Sequence, residues 1–181
     1  KPLADVSQPD VEAMVKGLSN LGKHIENIRK FGQPCIVAIN HFPTDTPEEV
    51  AVLERHCESH GVRAVLARPF SEGGKCCTEL AEVVRDLAAR SAPQFKPLYE
   101  WDQSIEHKIA TVACEMYGAQ AVDYTARGKR DRDALEKAGF GNLPICIAKT
   151  QQSLSDNPAL LGRPKDFLVT VREIQLAAGA G

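Results

Sequence analysis

A chain of 181 residues with 43% apolar and 25% charged side chains carries enough apolar surface for a real core, arranged as one domain or two small lobes. Its formal net charge of −2 leaves no basic stripe of the kind that binding a phosphate backbone demands, so no nucleic acid is expected as a partner. No apolar run approaches the about 20 residues that span a bilayer, and no charged start with an apolar core reads as a signal peptide; the expectation is no membrane and a cytoplasmic home, or an organellar one after removal of a leader.

Taken in chain order, Val11, Met14, Val15, Leu18, Leu21, Ile25 and Ile28 recur at spacings of three and four, which predicts an amphipathic helix from Pro9 to Lys30, stopped near Phe31-Gly32. The apolar run Pro34 to Ile39 reads as a parallel strand buried on both faces, ended by Asn40. Thr46-Pro47-Glu48-Glu49 is a capping box with proline at the first helical position, so a helix runs from here to His60 and Gly61 closes it. Val62 to Ala67 is a second apolar strand, and strand, helix, strand with short joints predicts a right-handed βαβ unit. The turn Ser71-Glu72-Gly73-Gly74 leads into a helix over 76–89.

Past Pro93 the texture changes. A helix is predicted over 101–117 with Ser104 as its cap, a short strand over 119–124 and a charged helix over 129–138 ended by Gly139. A strand over 143–148, a Gln-, Ser- and Asn-rich loop over 149–164 and a long strand over 167–176 follow. The expected architecture is α/β: a parallel βαβ portion over 1–92, then a smaller α+β lobe over 93–181. The start without methionine and the end Ala177-Ala178-Gly179-Ala180-Gly181 read as a piece of a longer protein.

Ligands of open α/β sheets gather outside the carboxyl ends of the strands. Two segments qualify, 40–46 and 68–75. Each sets an aromatic ring beside a proline and polar groups, as a flat heteroaromatic ligand requires, so Phe42 and Phe70 are either the walls of such a site or plugs at the top of the sheet. Asn40 with Asp45 is a weak match to the N-K-x-D purine signature, and Asp45 and Thr46 equally suit capping of the next helix. Gly73 and Gly74, with Lys75 beside them, read either as an anion site at a helix start or as a turn. Lys149 opens a polar loop after a strand, which is either functional or solvated.

Six cysteines, at 35, 57, 76, 77, 114 and 146, form no C-x-x-C spacing and read as reduced. Adjacent Cys76 and Cys77 on a helix point about 100° apart, which argues against a shared metal. His56 and His60 read as surface residues, and no metal site is expected. No G-x-x-x-x-G-K-[ST] phosphate loop occurs in the sequence.

Lys23-His24-Ile25-Glu26-Asn27-Ile28-Arg29-Lys30-Phe31-Gly32, Val37-Ala38-Ile39-Asn40 and Phe42-Pro43-Thr44-Asp45-Thr46 together resemble formate–tetrahydrofolate ligases. So do Gly139-Phe140-Gly141-Asn142-Leu143-Pro144-Ile145-Cys146, Ala148-Lys149-Thr150, Ser153-Leu154-Ser155 and Val171-Arg172-Glu173. The resemblance implies a phosphate-loop-type α/β enzyme that uses ATP, Mg²⁺, formate and tetrahydrofolate to make 10-formyltetrahydrofolate by way of formyl phosphate. It implies a homo-oligomer, typically a homotetramer, with the phosphate loop and catalytic residues upstream of this segment. By the same resemblance Phe42 and Phe70 flank the folate ring while Pro43 and Leu66 line its pocket; Asn40, Asp45, Gly73, Gly74, Lys75 and Lys149 are the candidates for nucleotide or anion contacts. The chain departs from the family at Phe70, where Trp is usual, and at Cys76-Cys77, where small residues are common. The alternative expectation, of a different class, is a catalytically inactive truncated relative that serves as a binding or oligomerisation module.

Overall fold

In the computed structural model, which describes residues 5, 7–92, 94–148, 154–177 and 179, the first helix, α1 (Val11–Lys30), starts where the Asp10 carboxylate accepts the Ala13 amide at 2.9 Å. Glu12 in its first turn and Arg29 and Lys30 in its last complement the helix dipole. Gly32, at φ +69, ends the segment: a Cβ there would strike the Gln94 carbonyl.

Two parallel strands follow, β1 (Val37–Asn40) and β2 (Ala64–Ala67), in register from Val37 opposite Ala64 to Asn40 opposite Ala67. Between them α2 (Pro47–Ser59) is capped as expected, with Thr46 and Glu49 in a reciprocal capping box. Glu49 does more than cap. Its buried carboxylate also accepts the Asp10 amide at 2.8 Å, so one side chain ties the starts of α1 and α2 together. Along their length the two helices meet at Gly22, whose missing Cβ leaves room for the rings of His60 and His56; a Cβ would lie 3.2 and 3.4 Å from their Nε2 atoms. The two imidazoles are therefore half-buried, with centroids 4.4 Å apart, and not the surface residues that their place near the end of a helix predicts.

After β2 the chain makes a single helical turn, α3 (Pro69–Glu72), a 3₁₀ turn over Gly73–Cys77, and the helix α4 (Thr78–Arg90). These elements belong to the first of two units, Lys1–Lys96 and Pro97–Gly181.

In the second unit α5 (Ile105–Thr111) is capped by Ser104 and continues as a π turn, Val112–Tyr117, that Gly118 closes at φ +80. Strand β3 (Ala121–Tyr124), helix α6 (Ala126–Lys137) and strand β4 (Leu168–Val171) complete it. β3 and β4 pair in parallel, Ala121 opposite Leu168, with α6 in the connection, so this unit also has α/β character where an α+β lobe is predicted. Its core is Ala113, Ala119, Phe167 and Val169, with Tyr117 and Val122 packed against it.

Two predicted strands differ most: that over 143–148 is absent and that over 167–176 is cut to four residues. The segment 143–148 joins no ladder, because side chains occupy its backbone groups: the Ile145 amide donates to the Tyr99 hydroxyl at 2.8 Å, the Tyr117 hydroxyl to the Ile147 carbonyl at 3.4 Å, and Lys108 to the Leu143 carbonyl at 3.0 Å. Of the strand predicted over 167–176 only Leu168–Val171 pairs. Beyond it, Thr125 donates to the Arg172 carbonyl at 2.7 Å and the Ile174 amide turns to Asp131 at 3.1 Å.

Candidate functional site

Because β1 and β2 end level, at Asn40 and Ala67, the segments that leave them emerge side by side at one edge of the sheet. The His41 amide donates to the Ala67 carbonyl at 2.9 Å and carries the pairing one residue further. A tight turn then fixes Phe42: its amide donates to the Asp45 carboxylate at 2.8 Å while the Asp45 amide donates back to the Phe42 carbonyl at 3.0 Å. After the other strand, α3 carries Phe70. The two rings face each other with centroids 6.0 Å apart and planes tilted by 41°.

Phe42 is 44% and Phe70 75% exposed. Large apolar rings left open together at strand ends have the character of an aromatic binding surface. Leu66 is half-buried in β2 opposite Ile39, and Pro43 and Asn40 are exposed at the same edge. Asp45 serves the Phe42 turn and Thr46 the cap of α2. Gly73 and Gly74 open the 3₁₀ turn and not α4 itself, so they do not sit at that helix's positive end; Lys75 is exposed beside them. Lys149 lies outside the described residues.

Among the described residues no group of three or more His, Cys, Asp and Glu is placed to hold a metal ion, and no helix is long and apolar enough to cross a membrane.

In the second unit the structure reveals a residue that sequence reasoning passes over. Lys108 is fully buried, and its ammonium donates to the carbonyls of Trp101 at 3.1 Å, Leu143 at 3.0 Å and Gly141. Three N–H donors meet three carbonyls, which is what keeps a buried ammonium tolerable. Burial pushes its pKa down, opposed by the charges of Glu136 and Asp102. The only trace in the sequence is its position: Lys108 follows Ile105 by three and precedes Ile109, on the apolar stripe of α5. A cleft of about 1250 Å³ opens nearby, lined by Pro144, Ile145, Ile147, Val169, Val171 and Ile174 among others.

The sequence profile of the family described as formate–tetrahydrofolate ligase matches residues 1–181. A formate–tetrahydrofolate ligase of Syntrophus aciditrophicus is 48% identical over 178 residues, which is 98% of this chain and 32% of that protein. A protein of the same name from Bacillus licheniformis is 44% identical over 180 residues, covering 99% of this chain and 32% of its own length. The chain thus spans about a third of the length of the curated relatives it matches, and over that whole span it belongs to the formate–tetrahydrofolate ligase family.

Proposed function

We propose that this chain carries the folate wall of an ATP-dependent formate–tetrahydrofolate ligase, with Phe42 and Phe70 holding the pterin ring and Pro43 and Leu66 lining its pocket. The observation that supports it best is the pair of open rings at the ends of two adjacent parallel strands, 6.0 Å apart. A flat ring between them needs about 7 Å, two carbon contacts of about 3.5 Å each. The rings therefore part by about 1 Å and level their tilt on binding. Phe70, the more exposed of the two and mounted on a single helical turn, is the one free to swing.

In this reading the reaction joins formate to the folate amine through formyl phosphate, an intermediate that water destroys. What the residues of this chain contribute is orientation and dryness: the rings hold the folate amine in place and keep solvent off its face. The phosphate loop and the Mg²⁺ ligands are then supplied by the rest of the intact enzyme, together with the phosphate-loop-type sheet that the first unit extends. That enzyme is proposed to be a cytoplasmic homo-oligomer, a tetramer by its family resemblance.

The test is Phe42→Ala in the full-length enzyme. Loss of one stacking face costs about 1 kcal/mol, so KM for tetrahydrofolate is expected to rise about fivefold while KM for ATP stays within about twofold. Equal damage to both substrates, or none to folate, removes Phe42 from the folate site.

A further inference from the structure

The segment that presents Phe70 also sets two thiols side by side. Cys76 and Cys77 are both half-buried, and their Sγ atoms lie 3.7 Å apart. Neighbours on a regular helix diverge by about 100°; here the 3₁₀ turn Gly73–Cys77 gives way to α4 at this point, and Cys76 is drawn inward by two hydrogen bonds. Its Sγ accepts the Arg68 amide at 3.2 Å and its thiol donates to the Gly73 carbonyl at 3.0 Å. Cys76 is thus the pin that folds the chain from 68 to 76 back on itself, with Phe70 at the bend.

The pair suits neither of the usual cysteine partnerships. Consecutive Cα atoms are about 3.8 Å apart, short of the about 4.4–6.8 Å that a disulfide spans. Structural zinc takes four ligands, and among the described residues no third histidine, cysteine or carboxylate joins the two thiols. What fits is a centre that asks for two sulfurs and brings its remaining bond with it. Two sulfurs held about 2.3 Å from one pyramidal centre lie about 3.4 Å apart, so the 3.7 Å pair has to close by only about 0.3 Å.

We propose that Cys76 and Cys77 form a dithiol site for mono-organyl trivalent arsenicals, R–As=O. Two S–H bonds and the arsenic–oxygen double bond break, two S–As bonds form, and the two thiol protons leave with the oxygen as water. Arsenic stays trivalent and no electrons change hands. Because Cys76 gives its proton to Gly73, the contact between the two sulfurs is donated by Cys77 to Cys76, and it raises the Cys77 pKa. Capture takes the proton that Cys76 donates to Gly73, so the pin is drawn and the Phe70 segment loosens. An effect on folate use rests on the folate reading above; the site itself does not.

The experiment treats the chain with stoichiometric phenylarsine oxide. Intact mass is expected to rise by one phenylarsenic unit less two hydrogens, mapped to the peptide holding residues 76–77. The adduct should resist excess glutathione and yield to ethanedithiol, and hydrogen exchange at Arg68 and Glu72, whose amides are bonded in the folded segment, should quicken. Cys76→Ser and Cys77→Ser are each expected to lose the adduct, and a Cys35→Ser, Cys114→Ser, Cys146→Ser triple variant to keep it. An adduct that glutathione strips, that maps to Cys35 and Cys57, or that survives either serine variant overturns the proposal. In the full-length enzyme the adduct should raise KM for tetrahydrofolate; an adduct at 76–77 with folate use unchanged refutes the role of Phe70 and leaves the dithiol site standing.

Discussion

Tyr124 shows how much one atom matters. Its hydroxyl is buried without a hydrogen-bond partner among the described residues, while the Arg132 guanidinium sits over its ring at 5.4 Å. A buried hydroxyl left unpaired costs about 1–3 kcal/mol, so Tyr124→Phe, which keeps the ring and the cation contact, is expected to stabilise the chain by about 1 kcal/mol at pH 7 in urea melts. The same burial, helped by Glu106 and opposed by Arg132, pushes the Tyr124 pKa up to about 12. The unfolded chain ionises this phenol near its ordinary value of about 10, and the folded chain holds its proton longer. The resulting stabilisation is present below pH 10 and drains away between about 10 and 12. The Phe variant should lack that part of the alkaline decline. Lys108 is the opposite case, since each of its three protons has an acceptor. Lys108→Met fits the space but orphans three carbonyls, and a loss of about 3 kcal/mol or more is expected by denaturant unfolding. Lys108 was not legible because a lysine on an apolar stripe usually snorkels; only the carbonyls of 101, 141 and 143, remote in sequence, make it a core residue.

At the scale of elements, local chemistry was readable wherever the sequence supplies its own partner. Thr46 with Glu49, and Ser104 before α5, cap their helices as their spacing predicts, because the groups they satisfy lie within three residues. The segment 143–148 defeated the same reasoning: its apolar run has strand composition, but whether a strand forms depends on who takes its backbone, and here Tyr99, Tyr117 and Lys108 do. Helix packing is likewise set at a distance. At the first turn of α6, a Cβ on Gly128 would lie 2.6 Å from the Val171 carbonyl of β4. Alanine gains about 1 kcal/mol in helix propensity, yet overpacking against a backbone atom costs about 1–3 kcal/mol. Gly128→Ala should therefore destabilise, seen as a lower urea midpoint, whereas an alanine at exposed Gly17 of α1, with open space around it, should not. Between α1 and α2, burial first and the charge of His60 second hold the His56 pKa below 6.5, with the Leu18 backbone pulling it partly back. The unfolded chain takes the proton first as pH falls, so this contribution is present above 6.5 and is lost below it. His56→Gln should show a smaller drop in stability between pH 7.5 and 5.5 than the parent.

At the scale of the whole chain, the parallel βαβ unit was legible, because buried parallel strands and capping boxes are written locally. The mutual approach of Phe42 and Phe70 was not, since it depends on β1 and β2 ending level. The same two-stranded sheets lead to the last prediction. Among the described residues each sheet consists of two paired strands, and the cleft of about 1250 Å³ leaves apolar side chains of the second unit open. Edges and apolar surface of this kind invite pairing with another chain. The 181-residue chain alone should therefore sediment as an associating species, increasingly so with concentration. It should also show no formate-dependent release of ADP with tetrahydrofolate and Mg²⁺, because phosphoryl transfer rests on positioning and charge stabilisation, and the sequence holds no phosphate loop to supply them. Turnover from a monodisperse monomer would defeat both expectations at once. The phosphate would then have to be held by cations this chain does possess, Lys75, Lys149 and Arg172 first among them, and each could be tested by a single substitution to Met.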